Sequence, residues 1–376
     1  MNDTGLLQLT TDKLSAMFVE YVLVTATVLL LVLLGLNWLL SRSSPATRHA
    51  TWLLGVFGVA VIPLLPYVAW GLGLPFEAGR WHLPLLPAAA VFDTRLGASS
   101  EIAGTGVRVL VLLTGIWVAG AAVMLAGLAR SIATIMRLTR QATSVVPGRG
   151  TYTRLEAAVT AASACAPNVA RVALSGDIAT PLAWGLIRPV ILLPSAAVDW
   201  PLQRATAVLR HEFAHIRRRD WAGAILLELV RSILWPNPLA WVVARLARME
   251  QEQACDDAVL RSGTVPVDYA RCLLEVASSS SLAPVPRASL ALARQSNLRY
   301  RVRRILDRSS DRRPASRFAI AAAFLLVAAV SPALATLDPW HCDQEASPAV
   351  AYSVLAPTHV GAPVHLSADA AGTESL

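Results

Sequence analysis

Four stretches of the chain are apolar for long enough to cross about 30 Å of hydrocarbon at about 1.5 Å per helical residue. They run from Met17 to Leu40, Trp52 to Leu72, Val109 to Ala129 and Phe318 to Ala335. The first far exceeds the roughly 7–15 apolar residues of a signal-peptide core and lacks a basic leader and a small-x-small cleavage site, so it reads as a retained span. Between the third and fourth spans the pattern turns polar. Arg130 to about Cys165 reads as mostly helical. Val172–Leu174 and Val190–Leu193 read as two short strands joined by Ala179–Arg188, bounded by Ser175-Gly176-Asp177 and by Pro189 and Pro194. Helical spacing resumes near Gln203 and runs to about Ser262, broken at Trp235-Pro236-Asn237-Pro238. Gly223–Leu234 is apolar but carries Glu228 and Arg231, which suits a core helix or one dipping into the inner leaflet better than a span. The pattern predicts a mainly α membrane protein with four transmembrane helices and an α+β domain inserted between spans 3 and 4. Its divisions are residues 1–16, 17–129, 130–317, 318–335 and a flexible tail, 336–376.

Charge orients these spans. The chain is 55% hydrophobic and only 15% charged, well below the roughly 25% of soluble domains, which disfavours a disordered chain or an ordinary cytosolic enzyme. The short loop Ser41–Ala50 carries Arg42 and Arg48, whereas Gly73–Gly106 has two arginines against three acids. Arg130–Arg317 holds 27 arginines and 14 acids, and no lysine or arginine follows Thr336. Positive charge stays on the cytoplasmic side. The expected location is therefore the bacterial inner membrane, multi-pass, with the N-terminus and the tail outside and the inserted domain in the cytoplasm. The densest basic cluster, Arg299, Arg301, Arg303 and Arg304, lies just before the fourth span. It reads as a surface facing anionic lipid rather than nucleic acid.

The chemistry sits on the first helix after the strands, in His211-Glu212-Phe213-Ala214-His215. Residues four apart share a helix face, so both imidazoles can bind one Zn2+, and Glu212 is placed beside the metal as a general base. These are the sole histidines of residues 130–317, so a third ligand must be a carboxylate or a thiolate. Glu250, Glu252, Cys255, Asp256 and Asp257 on the helix after the proline break are the candidates; Glu252 and Asp256 are again four apart, one for the metal and one to support a ligand. Folding that helix back needs an offset or bend, for which Gly223 is a candidate. Asp220 is expected to pair with Arg217–Arg219 or another helix, and Cys255 to pack as a small residue. Tyr269, an arginine or a backbone amide is left to stabilise an oxyanion. Val190, Ile191, Leu192 and Leu193 form a candidate substrate-binding strand, by main-chain pairing along a sheet edge.

The sequence resembles the BlaR/MecR-type membrane-embedded zinc metallopeptidases, a family of antirepressors and signalling proteases. The resemblance rests on Arg48-His49-Ala50-Thr51-Trp52, on Ser175–Pro181 with Gly185–Pro194, on the HExxH helix through Asp220, and on Trp235–Trp241 leading to Glu252-Gln253-Ala254-Cys255-Asp256. It implies a gluzincin-like zinc metallopeptidase domain, with His211, His215 and Glu252 on one Zn2+, Glu212 as general base and Asp256 behind a ligand. It also implies a cytoplasmic protein substrate such as a winged-helix repressor. Membrane lipids and a second copy of the chain are further candidate partners, and no direct nucleic-acid binding is expected.

One departure stands out. Antibiotic-sensing members carry a large penicillin-binding domain after the last span, where this sequence has about 40 residues. Lys13 is the one lysine and residue 10 is Thr10, so no Ser-x-x-Lys nucleophile exists and self-acylation by a β-lactam is not expected. The function classes are a metalloendopeptidase in transmembrane signalling, a non-proteolytic zinc-containing transducer or scaffold, and a housekeeping membrane protease.

Overall fold

A computed structural model describes residues 26–61, 100–163, 170–280 and 298–325 apart from 319 and 323. Parts of the first, second and fourth predicted spans, the loop 73–99 and the tail lie outside the described residues. The helices are α1 (Ala26–Leu39), α2 (Pro45–Val61), α3 (Ser100–Gln141), α4 (Thr153–Ser163), α5 (Leu202–Arg218), α6 (Asp220–Ile233), α7 (Pro238–Arg261), α8 (Pro266–Ser280) and α9 (Leu298–Leu306). The strands are β1 (Thr143–Val145), β2 (Arg171–Ser175), β3 (Leu182–Trp184) and β4 (Val190–Pro194). Among the described residues, Val111–Gln141 of α3 is the one stretch long and apolar enough to cross a membrane; α1 is a shorter apolar helix. Leu112, Leu113, Ile116 and Val123 are exposed on α3, as suits a lipid-facing helix.

The sheet is mixed, in the order β1-β2-β4-β3. β2 and β4 run parallel, with Arg171 opposite Val190, while β1 and β3 join antiparallel at the two ends. The parallel pair uses the two strands legible in the sequence; β1 and β3 are three-residue strands too short to carry a period. The structure corrects one expectation here. Val190–Leu193 is not a sheet edge: it is buried throughout and paired on both sides, so its main-chain groups are already used. Its alternation serves two cores. Ile191 and Leu193 pack with Leu155, Leu209, Phe213 and Tyr269, and Val190 and Leu192 pack with Leu138 and Ala142 at the end of α3. Among the described residues the sheet's two edges belong to β1 and β3.

A second correction concerns the HExxH helix, which does not run on to the proline break. It stops at Arg218, and Arg219 takes the left-handed conformation at φ 56°, ψ 37° before α6 begins at Asp220. The backbone N–H of Arg219 donates to the Ile216 carbonyl, closing α5. This corner supplies the offset that α7 needs, so Gly223 does not bend the chain. Gly223 instead admits α2, because a Cβ there would lie 2.8 Å from Leu53 Cδ1. The Pro236–Pro238 break appears as read: Pro238 opens α7, and the Asn237 side chain accepts from Leu239 N–H at 3.0 Å.

Helices α1 and α2 share a core with α6 and α7. Leu29, Leu30 and Leu33 of α1 and Trp52, Val56 and Val59 of α2 cluster with Leu227, Val230 and Leu234 of α6 and Val243 and Ala247 of α7. Arg48 pairs with Glu250 at 2.8 Å across the same junction. On α3, Gly120 lies against Trp235, where an added Cβ would come within 2.4 Å of the indole. Trp235 Nε1–H donates to the Trp117 carbonyl at 3.0 Å, which pins that ring. Gly120→Ala should therefore lower stability by about 1–3 kcal/mol through overpacking. Gly115→Ala on the same helix, with open space at its Cβ, is the control. Thermal unfolding in detergent compares the two; equal midpoints would contradict the packing argument.

Candidate metal centre

One face of α5 brings His211 and His215 together, their Nε2 atoms 3.2 Å apart. Glu252 arrives from α7, with Oε2 3.6 Å from His211 Nε2 and Oε1 3.7 Å from His215 Nε2. Tetrahedral zinc with bonds of about 2.0–2.1 Å sets its ligand atoms about 3.3–3.5 Å apart, so the donor set needs shifts of only a few tenths of an ångström to hold that ion. Glu212 is buried on the same helix, next in sequence to His211. The corner at Arg219 and the turn at Asn237 fold α7 back over α5, and that places Glu252.

Each imidazole is held from behind through Nδ1. His215 Nδ1–H donates to Asp220 Oδ2 at 2.9 Å, and Asp220 is also clasped by Arg218 at 3.2 Å. His211 Nδ1 lies 3.0 Å from Tyr269 Oη and 3.3 Å from Asp256 Oδ1. Tyr269 O–H donates to the same Asp256 oxygen at 2.7 Å. A proton fixed on Nδ1 leaves Nε2 for a metal. Asp220, expected to pair with arginines or another helix, does so through Arg218 and also orients His215. Tyr269 is 1% exposed with its hydroxyl spent on Asp256, so it backs His211 and is not an oxyanion donor. Cys255 is fully buried behind His215, its S–H donating to Asp220 Oδ2 at 3.3 Å. Burial and then Asp220 push the thiol pKa well up, so it stays a neutral packed group. His215, Asp220 and Cys255 also converge, but on the Nδ1 side that these hydrogen bonds occupy.

Sequence reasoning missed Arg301. Read as part of a lipid-facing cluster, it turns inward from α9 and is 8% exposed, while Arg299 and Arg303 point to solvent. It donates to Asp256 from Nε at 2.8 Å and from Nη2 at 2.6 Å, and Nη1 meets Glu252 Oε2 at 2.9 Å. Arg304, one turn on, pairs with Asp257 at 3.1 Å. The signal was available: three carboxylates on the inner face of α7 demand cations, and Arg301, Arg304 and Ile305 share a helix face.

Electrostatics follow from this network. Burial opposes the Glu252 carboxylate, but Arg301 and the imidazoles hold its pKa down to about 2. Burial likewise opposes Asp220, and His215 brings it to about 2. Burial disfavours the His211 imidazolium, yet hydrogen bonds to Asp256 and Glu252 outweigh it and lift its pKa to about 9 without metal. The sign then has two faces. This proton stabilises the metal-free fold fully below about pH 6.5, a contribution lost as pH rises through about 9. A metal must displace it, so zinc affinity should climb about tenfold per pH unit up to about pH 9 and then level. Calorimetric titration at several pH values, reading proton release per zinc, checks this; a flat affinity between pH 7 and 9 would contradict it.

The family model described as BlaR1 peptidase M56 matches residues 17–305. The chain belongs to that family. Regulatory protein BlaR1 of Bacillus licheniformis is 36% identical over 85 residues, 23% of this chain and 14% of that protein. The methicillin resistance mecR1 protein of Staphylococcus aureus strain Mu50 is 25% identical over 91 residues, 24% of this chain and 16% of that protein. The same figures hold for the Staphylococcus epidermidis mecR1 protein. The chain thus spans less than a sixth of these relatives' own length. Membership in the M56 peptidases is in keeping with a long apolar helix and with a His-His-Glu cluster able to hold a metal ion.

Proposed function

We propose that the protein is an integral membrane zinc metalloendopeptidase that hydrolyses peptide bonds of a cytoplasmic protein, a transcriptional repressor being the favoured substrate, in transmembrane signalling. The observation carrying this reading is the convergence of His211, His215 and Glu252 with Glu212 beside them on α5. The reading includes four spans, with the N-terminus and tail outside and residues 130–317 in the cytoplasm, supported by the arginine distribution.

Zinc, when bound, would supply the Lewis acid that polarises the scissile carbonyl and acidifies water. Glu212 takes the proton of the attacking water and returns it to the leaving amine. Asp256 with Tyr269, and Asp220, hold the two imidazoles with Nε2 facing inward. Arg301 keeps Glu252 ionised and fixed. The test is a comparison of cells producing the wild type or Glu212→Gln, with the chain and any repressor encoded beside it tagged, reading new protein N-termini by mass spectrometry. Fragments that depend on Glu212 support a protease. Zinc bound in both forms, with no fragment in either and an intact gene response, would make the protein a transducer instead.

A further inference from the structure

Beside the metal centre lies a cavity of about 420 Å³, within the range of ligand sites, between the β3 edge and the α5–α6 corner. Trp184 and Trp221 meet in its wall edge-to-face at 6.2 Å, and His215 borders it. Arg217 and Arg219 also line it, both exposed, and no acidic residue is among the described residues that do so. The nearest carboxylate by sequence, Asp220, is 2% exposed and committed to His215 and Arg218. Arg219 is the one described non-glycine residue at positive φ, a conformation that favours glycine. Closing α5 needs only its backbone N–H, which glycine also has. The strained backbone is therefore occupied by a side chain that the turn does not require, and that side chain faces the cavity.

We propose that this cavity is a substrate subsite for an acidic side chain, Asp or Glu, flanking the scissile bond of an extended peptide that lies along the free edge of β3. The inference deepens the protease reading and rests on it. Among the described residues no strand pairs with the outer side of β3, which leaves that side open to a peptide backbone. The Arg219 guanidinium offers planar donors to a carboxylate, Arg217 adds positive charge beside it, and the tryptophans cover its methylene stem. A lipid headgroup would answer to the same cations, but it has no use for a strand edge or for a site bordered by a candidate metal ligand.

The test uses the full-length, zinc-loaded protein in detergent and a pool of internally quenched random peptides. The best-cut peptide is resynthesised with Glu, Gln or Lys at each of three positions on either side of the cut bond. At one position the wild type should prefer Glu over Gln by about 10-fold or more in kcat/KM. Arg219→Gly should bring that ratio close to 1 while its unfolding midpoint is kept or raised; Arg219→Lys should retain part of the preference, and Arg217→Glu with Arg219→Glu should turn it toward Lys. A wild type indifferent to Glu at all six positions, or Arg219→Gly with the preference intact, overturns the subsite. So does a result in which the variants change only retention on phosphatidylglycerol vesicles, which would assign the corner to lipid. If the zinc-loaded wild type cuts nothing in the pool, the protease reading fails and the subsite falls with it; cutting without acidic preference removes the subsite alone.

Discussion

Glu212→Gln should keep the metal and lose the reaction. Glutamine fills the same buried volume on α5 but cannot accept a proton, and Glu212 is not one of the three converging donor groups. Zinc content should stay at one per chain while kcat falls by about 10²–10⁴-fold, the range for removing a positioned general base. KM should change little, because the lost interaction is made in the transition state. His215→Ala differs in kind: it removes a donor, so zinc and activity should go together. If Glu212→Gln shed its zinc, the carboxylate would be holding the metal and its assignment as base would be wrong.

The second large effect is expected at Arg301. Replacing it with methionine leaves Asp256, 3% exposed, and Glu252 without their shared cation. Removing one partner of a buried charge network costs about 3–5 kcal/mol. Metal-free Arg301→Met should therefore unfold at markedly lower denaturant than the metal-free wild type. Zinc should recover part of the loss, because it can take over Glu252 but does not reach Asp256. Adding Asp256→Leu should restore stability without metal while weakening zinc retention, since His211 then loses its carboxylate. Additive single-variant losses in that cycle would mean that the guanidinium and the carboxylate do not act as a unit.

How much of this was legible varies by element. His211, Glu212 and His215 stand in a row that a helix converts directly into one face, and Asn237-Pro238 announces the start of α7. The resemblance, not spacing, chose Glu252 among five neighbours. Arg219 was illegible because nothing in Arg217-Arg218-Arg219-Asp220 breaks a helix by propensity; tertiary packing sets that corner. Arg301 was misread because charge beside a predicted span satisfies the positive-inside pattern whether or not the side chain turns inward. Val190–Leu193 was correctly a strand, but its neighbours β1 and β3 were too short to see, so its central position was not.

The core that α6 and α7 share with α1 and α2 has a consequence for where this chain can work. Excising residues 130–317 would bare Leu227, Val230, Leu234, Val243 and Ala247 together, a face that water would drive into aggregation. On the proposed reading, a fragment released in this way would not be a freely diffusing enzyme. On the same reading, catalysis would be confined to a thin layer along the bilayer, and the rate at which any target is destroyed would include its journey to that layer.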